Sequence, residues 1–268
     1  MNWLQAIILG IIQGLTEFLP VSSSGHLAIG RELLGVEAEG DLVFEVAVHA
    51  ATVLATIIVF RRQIAGLLRD LFKFKYNDGT DYILKIGVSM IPVFVVGVFF
   101  KDAVEALFTS LLVVGIALLV TALLLFLSDR SGGKKSDAAE ARGGISWMQA
   151  LVIGIGQALA VVPGLSRSGT TISTGLLCGA KRENVAQFSF LMVLVPILGE
   201  AFLDIVGGDM ASSSIGVLPI ALGFAAAFVS GLFACKAMIA LVKKASLKWF
   251  ALYCAIVGCA VIVSQTLF

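Results

Sequence analysis

Charge is what this sequence has least of. Only 14% of its 268 residues are Asp, Glu, Lys or Arg, and the mean hydropathy is +1.01. Soluble domains carry about a quarter charged residues, so a soluble globular protein is excluded. Runs alternating apolar and polar residues with a period of two are also missing, which excludes a β-barrel and leaves helices as the spanning elements. Cysteine is sparse: Cys178, Cys235, Cys254 and Cys259 sit singly in apolar surroundings without metal-type spacing and read as packing residues. No basic segment precedes the first apolar run at Leu4 and no small-residue cleavage site follows it, so no removed leader is expected. The formal net charge of +1 carries no information about partners, and no nucleic-acid partner is expected.

What is present is length in the apolar runs. Leu42 to Phe60, Ile83 to Phe100, Val104 to Leu127, Val185 to Val206, Ile215 to Cys235 and Trp249 to Phe268 each approach the roughly 20 residues that a helix needs to cross a bilayer. Two shorter runs, Leu4 to Leu19 and Met148 to Val162, stop at a proline followed by serines and glycine, the pattern of a helix that enters the membrane without crossing it. The expected fold class is all-α and polytopic, with six transmembrane helices and two re-entrant helical hairpins. Lys and Arg cluster in Arg61 to Lys75 and in Lys236 to Lys248, which places both on the cytoplasmic side. The charged, glycine-rich stretch Ser128 to Ser146 joins them there as a linker. Gly207 to Ser214 has no basic residue and should lie outside, with Asp204 interfacial and Glu200 either interfacial or facing the cavity.

Sliding the chain against itself by 144 residues lays Trp3–Gly25 over Trp147–Gly169, and ten of 23 positions are identical, including both tryptophans, both glutamine pairs and the S-x-S-G. Gly35 with Gly179 and Phe44 with Phe188 continue the register. The offset pairs a span running inward with one running outward. Residues 1–127 and 147–268 are therefore expected to be inverted-topology repeats of a single membrane domain, joined by the linker 128–146. In such folds the broken elements meet near the midplane around a shared polar cavity.

The two tips differ where chemistry would need them to. Glu17 stands opposite Val161, Ser23 opposite Arg167 and His26 opposite Thr170. Gln13 and Glu17, four apart, share a helix face. After each proline a new helix begins at the S-x-S-G, and its first amides and dipole favour an anion. Arg167 adds a fork of donors suited to phosphate, with hydroxyls at Ser22, Ser24, Ser166, Ser168 and Thr171 beside it. Serines commonly only cap or pack membrane helices, whereas Glu17, His26 and Arg167 are ionisable groups at membrane depth and mark function. Glu45 and His49 lie one turn apart on the next span, where they bond each other or Glu45 faces the cavity.

At these stretches the chain resembles the bacterial undecaprenyl-pyrophosphate phosphatase family associated with bacitracin resistance. The resemblance rests on Gln13-x-x-x-Glu17, on the serine-rich stretch Ser22 to His26 and on P-G-x-S-R-S-x-x-T over Pro163 to Thr171. Many relatives carry glutamate where this chain has Gln13, which leaves Glu17 as the main carboxylate. The resemblance implies hydrolysis of undecaprenyl pyrophosphate to undecaprenyl phosphate in the bacterial cytoplasmic membrane, with the site open to the outside. It also implies a divalent cation, magnesium or calcium, held by Glu17, and is compatible with a homodimer. Glu17, Ser23, His26 and Arg167 are the catalytic candidates; Gln13, Ser22, Ser24, Glu45, Gly164, Ser166, Ser168 and Thr171 are the substrate-binding ones. Ser23 is the preferred nucleophile, activated by His26 or Glu17, with His26 itself and metal-activated water as alternatives. A polyprenyl-phosphate transporter or flippase is the competing reading, suggested by the repeat.

Overall fold

A computed structural model describes residues 1–36, 42–108, 110–131, 144–199, 215–244 and 246–267. Its elements are α1 (Trp3–Phe18), α2 (Ser23–Leu34), α3 (Leu42–Val59), α4 (Arg61–Leu71), α5 (Asp78–Phe99), α6 (Lys101–Leu107) and α7 (Leu111–Ser131), then α8 (Trp147–Leu159), α9 (Arg167–Leu177), α10 (Arg182–Met192), α11 (194–199), α12 (Val217–Lys244) and α13 (Lys248–Leu267).

The two short apolar runs fold by the same local rules. Asn2 and Ser146 cap α1 and α8, and each forms a capping box with the glutamine three residues on, Gln5 or Gln149. Neither helix is long enough to cross: 16 and 13 residues at 1.5 Å each rise about 24 and 20 Å, short of the ~30 Å hydrocarbon core. α1 stops two residues before Pro20 and α8 four before Pro163, because a proline inside the helix would remove a hydrogen bond and clash. The chain restarts at Ser22 and at Ser166, whose hydroxyls accept the amides of Gly25 and Gly169. α2 and α9 then end at left-handed glycines, Gly35 and Gly179, with matching bonds from Val36 N to Arg31 O and from Ala180 N to Gly175 O, both 3.0 Å. Gln5 Nε2 reaches Leu34 O at 3.0 Å and Gln149 Nε2 reaches Cys178 O at 3.1 Å, so each glutamine ties the end of its hairpin back to the start. All these pairs keep the 144-residue offset read in the sequence.

Packing exchanges elements between the halves. α1 lies against α12 and α8 against α5. The approach is close because glycines face backbone: a Cβ on Gly10 would sit 2.3 Å from Gly223 O, and one on Gly154 2.4 Å from Ser89 O. Phe44 and Phe188, each fully buried, repeat the exchange, Phe44 meeting Gly223 of α12 and Phe188 meeting the Tyr82 ring of α5 at 5.5 Å. α7 and α13 pair through Gly115 and Gly258, each of which faces the other's carbonyl. Small residues at such crossings let backbones touch, the usual route to helix association in lipid.

The spans differ in detail from those read in the sequence. Four helices, Asp78–Phe99, Leu111–Ser131, Val217–Val242 and Lys248–Leu267, are long and apolar enough to cross; Val43–Val59 reaches that length only together with Arg61–Leu71, from which it is bent by 76°. The sixth expected span, Val185 to Val206, is described only to residue 199 and is interrupted by a turn at Val193. α5 starts at Asp78 rather than Ile83, because its first turns hide their charge internally: Lys85 Nζ lies 2.5 Å from Asp81 and 5.7 Å from the centre of the Trp147 ring. α7 starts at Leu111 rather than Val104, the charged stretch before it forming the separate α6. The loop Gly207 to Ser214, Glu200 and Asp204 and most of the linker lie outside the described residues.

Gly10→Leu should destabilise the protein by about 3 kcal/mol, since backbone rather than a yielding side chain blocks the new atoms. Gly97→Leu, where nothing stands within 4 Å, should leave unfolding unchanged. Thermal unfolding of both variants in the same detergent checks the difference.

Candidate active site

The two tips touch. Ser168 Oγ of the second donates to Leu19 O of the first at 3.0 Å, and Gly25 faces the Cα of Gly164 so closely that a Cβ would lie 3.0 Å from it. Gly164 accepts a φ of +89° there, where a side chain would also collide with Val114 O. Thr121 of α7 braces the second tip, accepting the Ser166 amide at 3.0 Å.

Between the tips lies a polar cleft of roughly 340 Å³. Thr16, Glu17, Ser22, Ser23 and Ser24 line it from the first repeat, Ser166, Arg167 and Ser168 from the second, and His49 from α3. The capping serines occupy the third amide of each new helix, so the amides of residues 23, 24, 167 and 168 have no intrahelical acceptor and give the cleft a positive rim. Arg167 strengthens it: its Nη1 is buried and has no hydrogen-bond partner. A buried guanidinium donor left unmade is costly, and an anion in the cleft would satisfy it.

Glu17 gathers the opposing groups. Its Oε2 accepts from Ser23 Oγ at 2.6 Å and from Gln13 Nε2 at 3.0 Å, and His49 Nε2 stands 4.0 Å away. A hydroxyl donating to a carboxylate is placed to lose its proton, the arrangement of an activated nucleophile. A second cavity of about 400 Å³ adjoins the first. It shares Glu17, Arg167 and Ser168 with the cleft but is otherwise mainly apolar, with Phe18, Val53, Phe190, Val193, Leu194 and Ile197 in its walls.

Other expected site residues lie elsewhere. His26 is not in the cleft wall; its Nδ1 meets Ser22 O at 2.8 Å and its Nε2 meets the hydroxyl of Tyr253 on α13 at 2.7 Å, the two rings stacked with centroids 5.5 Å apart. Ser23 is bonded to Glu17 rather than to His26, although their spacing suggested a shared face. Glu45 pairs with Arg31 at 2.5 Å. Thr171 is buried, bonded to Arg167 O at 2.8 Å and to Ser189 Oγ at 2.5 Å. Gln13 is fully buried beside the cleft, and Gly164 packs the tips together. His49, read only as the neighbour of Glu45, bonds that residue's carbonyl through Nδ1 at 2.9 Å and so turns Nε2 toward Glu17. Its position as an ionisable group in an apolar span was the available signal.

Among the described residues no three His, Cys, Asp or Glu side chains group closely enough to hold a metal ion. The oxygen donors at hand are the Glu17 carboxylate and Gln13 Oε1, which is buried without a partner. Such hard donors fit magnesium or calcium, with phosphate oxygens completing the shell.

Fold and site together define a polytopic helical membrane protein with a polar, serine-bearing cleft between two broken helices. A family model described as bacitracin resistance protein BacA matches residues 6–260, and the chain belongs to that family. Among curated proteins it is similar to an undecaprenyl-diphosphatase of Bacteroides thetaiotaomicron, 53% identical over 99% of this chain and 100% of the relative. A protein of the same name from Parabacteroides distasonis is 54% identical over 96% of each chain, and one from Carboxydothermus hydrogenoformans is 38% identical over 99% of this chain and 98% of its own.

The two caps should respond differently to mutation. Ser22 adopts φ +72°, Ser166 φ −65°. Ser22→Ala should cost about 1 kcal/mol from the lost cap while keeping the strain that any Cβ bears at this φ, whereas Ser22→Gly should be milder because glycine loses the same cap but relieves that strain. Thermal unfolding should rank wild type, then Gly, then Ala at position 22.

Proposed function

We propose that this protein is a membrane phosphatase that hydrolyses undecaprenyl pyrophosphate to undecaprenyl phosphate and inorganic phosphate, returning the lipid carrier to cell-wall synthesis. The observation that carries the reading is the pairing, in one cleft, of the unpartnered Arg167 Nη1 with a Ser23 hydroxyl already bonded to Glu17. The neighbouring apolar cavity supports it, since a lipid pyrophosphate needs a polar pocket for its head and an apolar one, in contact with it, for the first units of its chain. The names of the relatives agree. For the transport reading, the sequence repeat is the sole support.

In the mechanism we propose, Arg167 and the free amides of α2 and α9 hold the phosphate oxygens and orient the terminal phosphorus toward Ser23. A bond forms between Ser23 Oγ and that phosphorus while the serine proton passes to Glu17. The bridging P–O bond breaks, and undecaprenyl phosphate leaves. Water then attacks the phosphoserine, the P–Oγ bond breaks as Glu17 returns its proton to Ser23 Oγ, and inorganic phosphate leaves with the oxygen of the water, whose proton passes to the phosphate. Glu17 and Gln13 would hold a divalent cation, which when bound would add neutralisation of phosphate charge. His26, with both ring nitrogens engaged, orients the first turn of α2 in this scheme. The cleft opens to the outer face of the cytoplasmic membrane, a reading supported by the basic segment Arg61 to Lys75 at the far end of α3, which the loop-charge rule puts inside.

Phosphate release from the lipid pyrophosphate by the purified protein in detergent tests the function, because no membrane then separates two compartments; binding without release would support a carrier instead. Arg167→Lys should lower turnover by a factor on the order of 100 or more, a point charge being unable to replace the fork. Ser23→Ala should abolish any phosphoenzyme trapped by rapid quenching, and a label retained in that variant would reassign the nucleophile. Chelation of divalent ions should suppress release, and magnesium or calcium should restore it. Glu17→Gln should lose that restoration, whereas Gln13→Glu should lower the cation concentration needed.

A further inference from the structure

The segment from Arg61 to Tyr76 plays no part in the site, and its chemistry is of another kind. We propose that it is an interfacial anchor that binds the headgroups of anionic phospholipids on the cytoplasmic leaflet, independently of the phosphatase reading.

Direction is the first observation. α3 and α4 meet at 76°, so a helix that follows a membrane span turns to run near the bilayer plane. No residue of α4 is buried. Ile64 and Leu67 rest partly on the core, while Leu68 and Leu71 of the same apolar face are exposed. One face apolar and the other basic is the pattern of a helix lying in the headgroup layer.

Charge says which lipid. Arg61, Arg62, Arg69, Lys73 and Lys75 stand against a single carboxylate, Asp70, which Lys73 binds at 2.6 Å. This excess of positive charge complements an anionic surface. After α4 the sequence reads FKFKY, residues 72–76, alternating aromatic rings with lysines. Aromatic rings favour the depth of the headgroups, and lysine stems extend along apolar surface to keep their ammonium groups in the polar layer. Phe72 and Phe74 contact each other edge to face with centroids 6.5 Å apart.

Phe74 supplies an independent observation. It is 89% exposed and holds φ at +49°, a left-handed conformation that a bulky residue adopts at a cost. Its amide bonds Leu71 O in the turn that ends α4 and its ring meets that of its near neighbour Phe72, contacts that leave the ring outward. Insertion of so exposed a ring among lipid headgroups would offset the cost of that conformation.

The test uses the full chain in nanodiscs, with Phe74→Trp as a fluorescence reporter and the wild-type emission of its three tryptophans subtracted. Phosphatidylglycerol or phosphatidylcholine brominated near the headgroup serves as quencher. Quenching by the brominated phosphatidylglycerol should be at least twice that by the phosphatidylcholine. Neutralising Arg62, Arg69, Lys73 and Lys75 to glutamine should bring the ratio to one. Should that variant fail to fold, the reporter alone decides: the preference should vanish between about 0.05 and 1 M salt, where the screening length falls to about 3 Å. Absence of quenching by either lipid, as expected of a segment in water or on an acidic protein, would overturn the anchor. Equal quenching by both, or a preference indifferent to salt, would overturn the headgroup selectivity that defines it.

Discussion

The structure depends on interrupting helices inside a membrane without leaving backbone groups bare. Hydrocarbon offers no water to an unpaired amide, so every break must be answered by protein. Here the answer is given twice by a serine hydroxyl on a restarted helix, by a glycine at its end, and by a glutamine that bonds the hairpin back to its own base. The first amides of the two restarted helices keep no intrahelical acceptor, and both helix starts border the same cleft.

Upon that shared scaffold the halves specialise. At three corresponding positions the first repeat has Glu17, Ser23 and His26 and the second has Val161, Arg167 and Thr170. The carboxylate and hydroxyl of one half therefore meet the guanidinium of the other across the contact at Leu19 and Ser168. Arg167 Nη1 is nevertheless left without a hydrogen-bond partner.

Much of this was legible in the sequence, because it follows from local rules. Proline before serine and glycine marks a broken helix, and the 144-residue register of Trp, Gln and S-x-S-G predicts equivalent caps, which Asn2 and Ser146, Ser22 and Ser166 supply. What was not legible is direction. Spacing tells which residues share a helix face but not what that face meets. His26 turns to Tyr253, more than two hundred positions away in the chain, and Glu45 is captured by Arg31, while His49 takes the position toward Glu17. The span Val185 to Val206 was likewise read as continuous because apolar composition does not record the turn at Val193.

The exchange of partners between the halves also constrains how the chain is made. α1 is synthesised roughly two hundred residues before α12, yet the glycine-lined surface it packs against belongs to α12. Long-range closure of this kind is slow compared with local contacts. A chain interrupted before Val217 would therefore leave the glycine face of α1 at Gly10 and Gly14 without the helix that covers it.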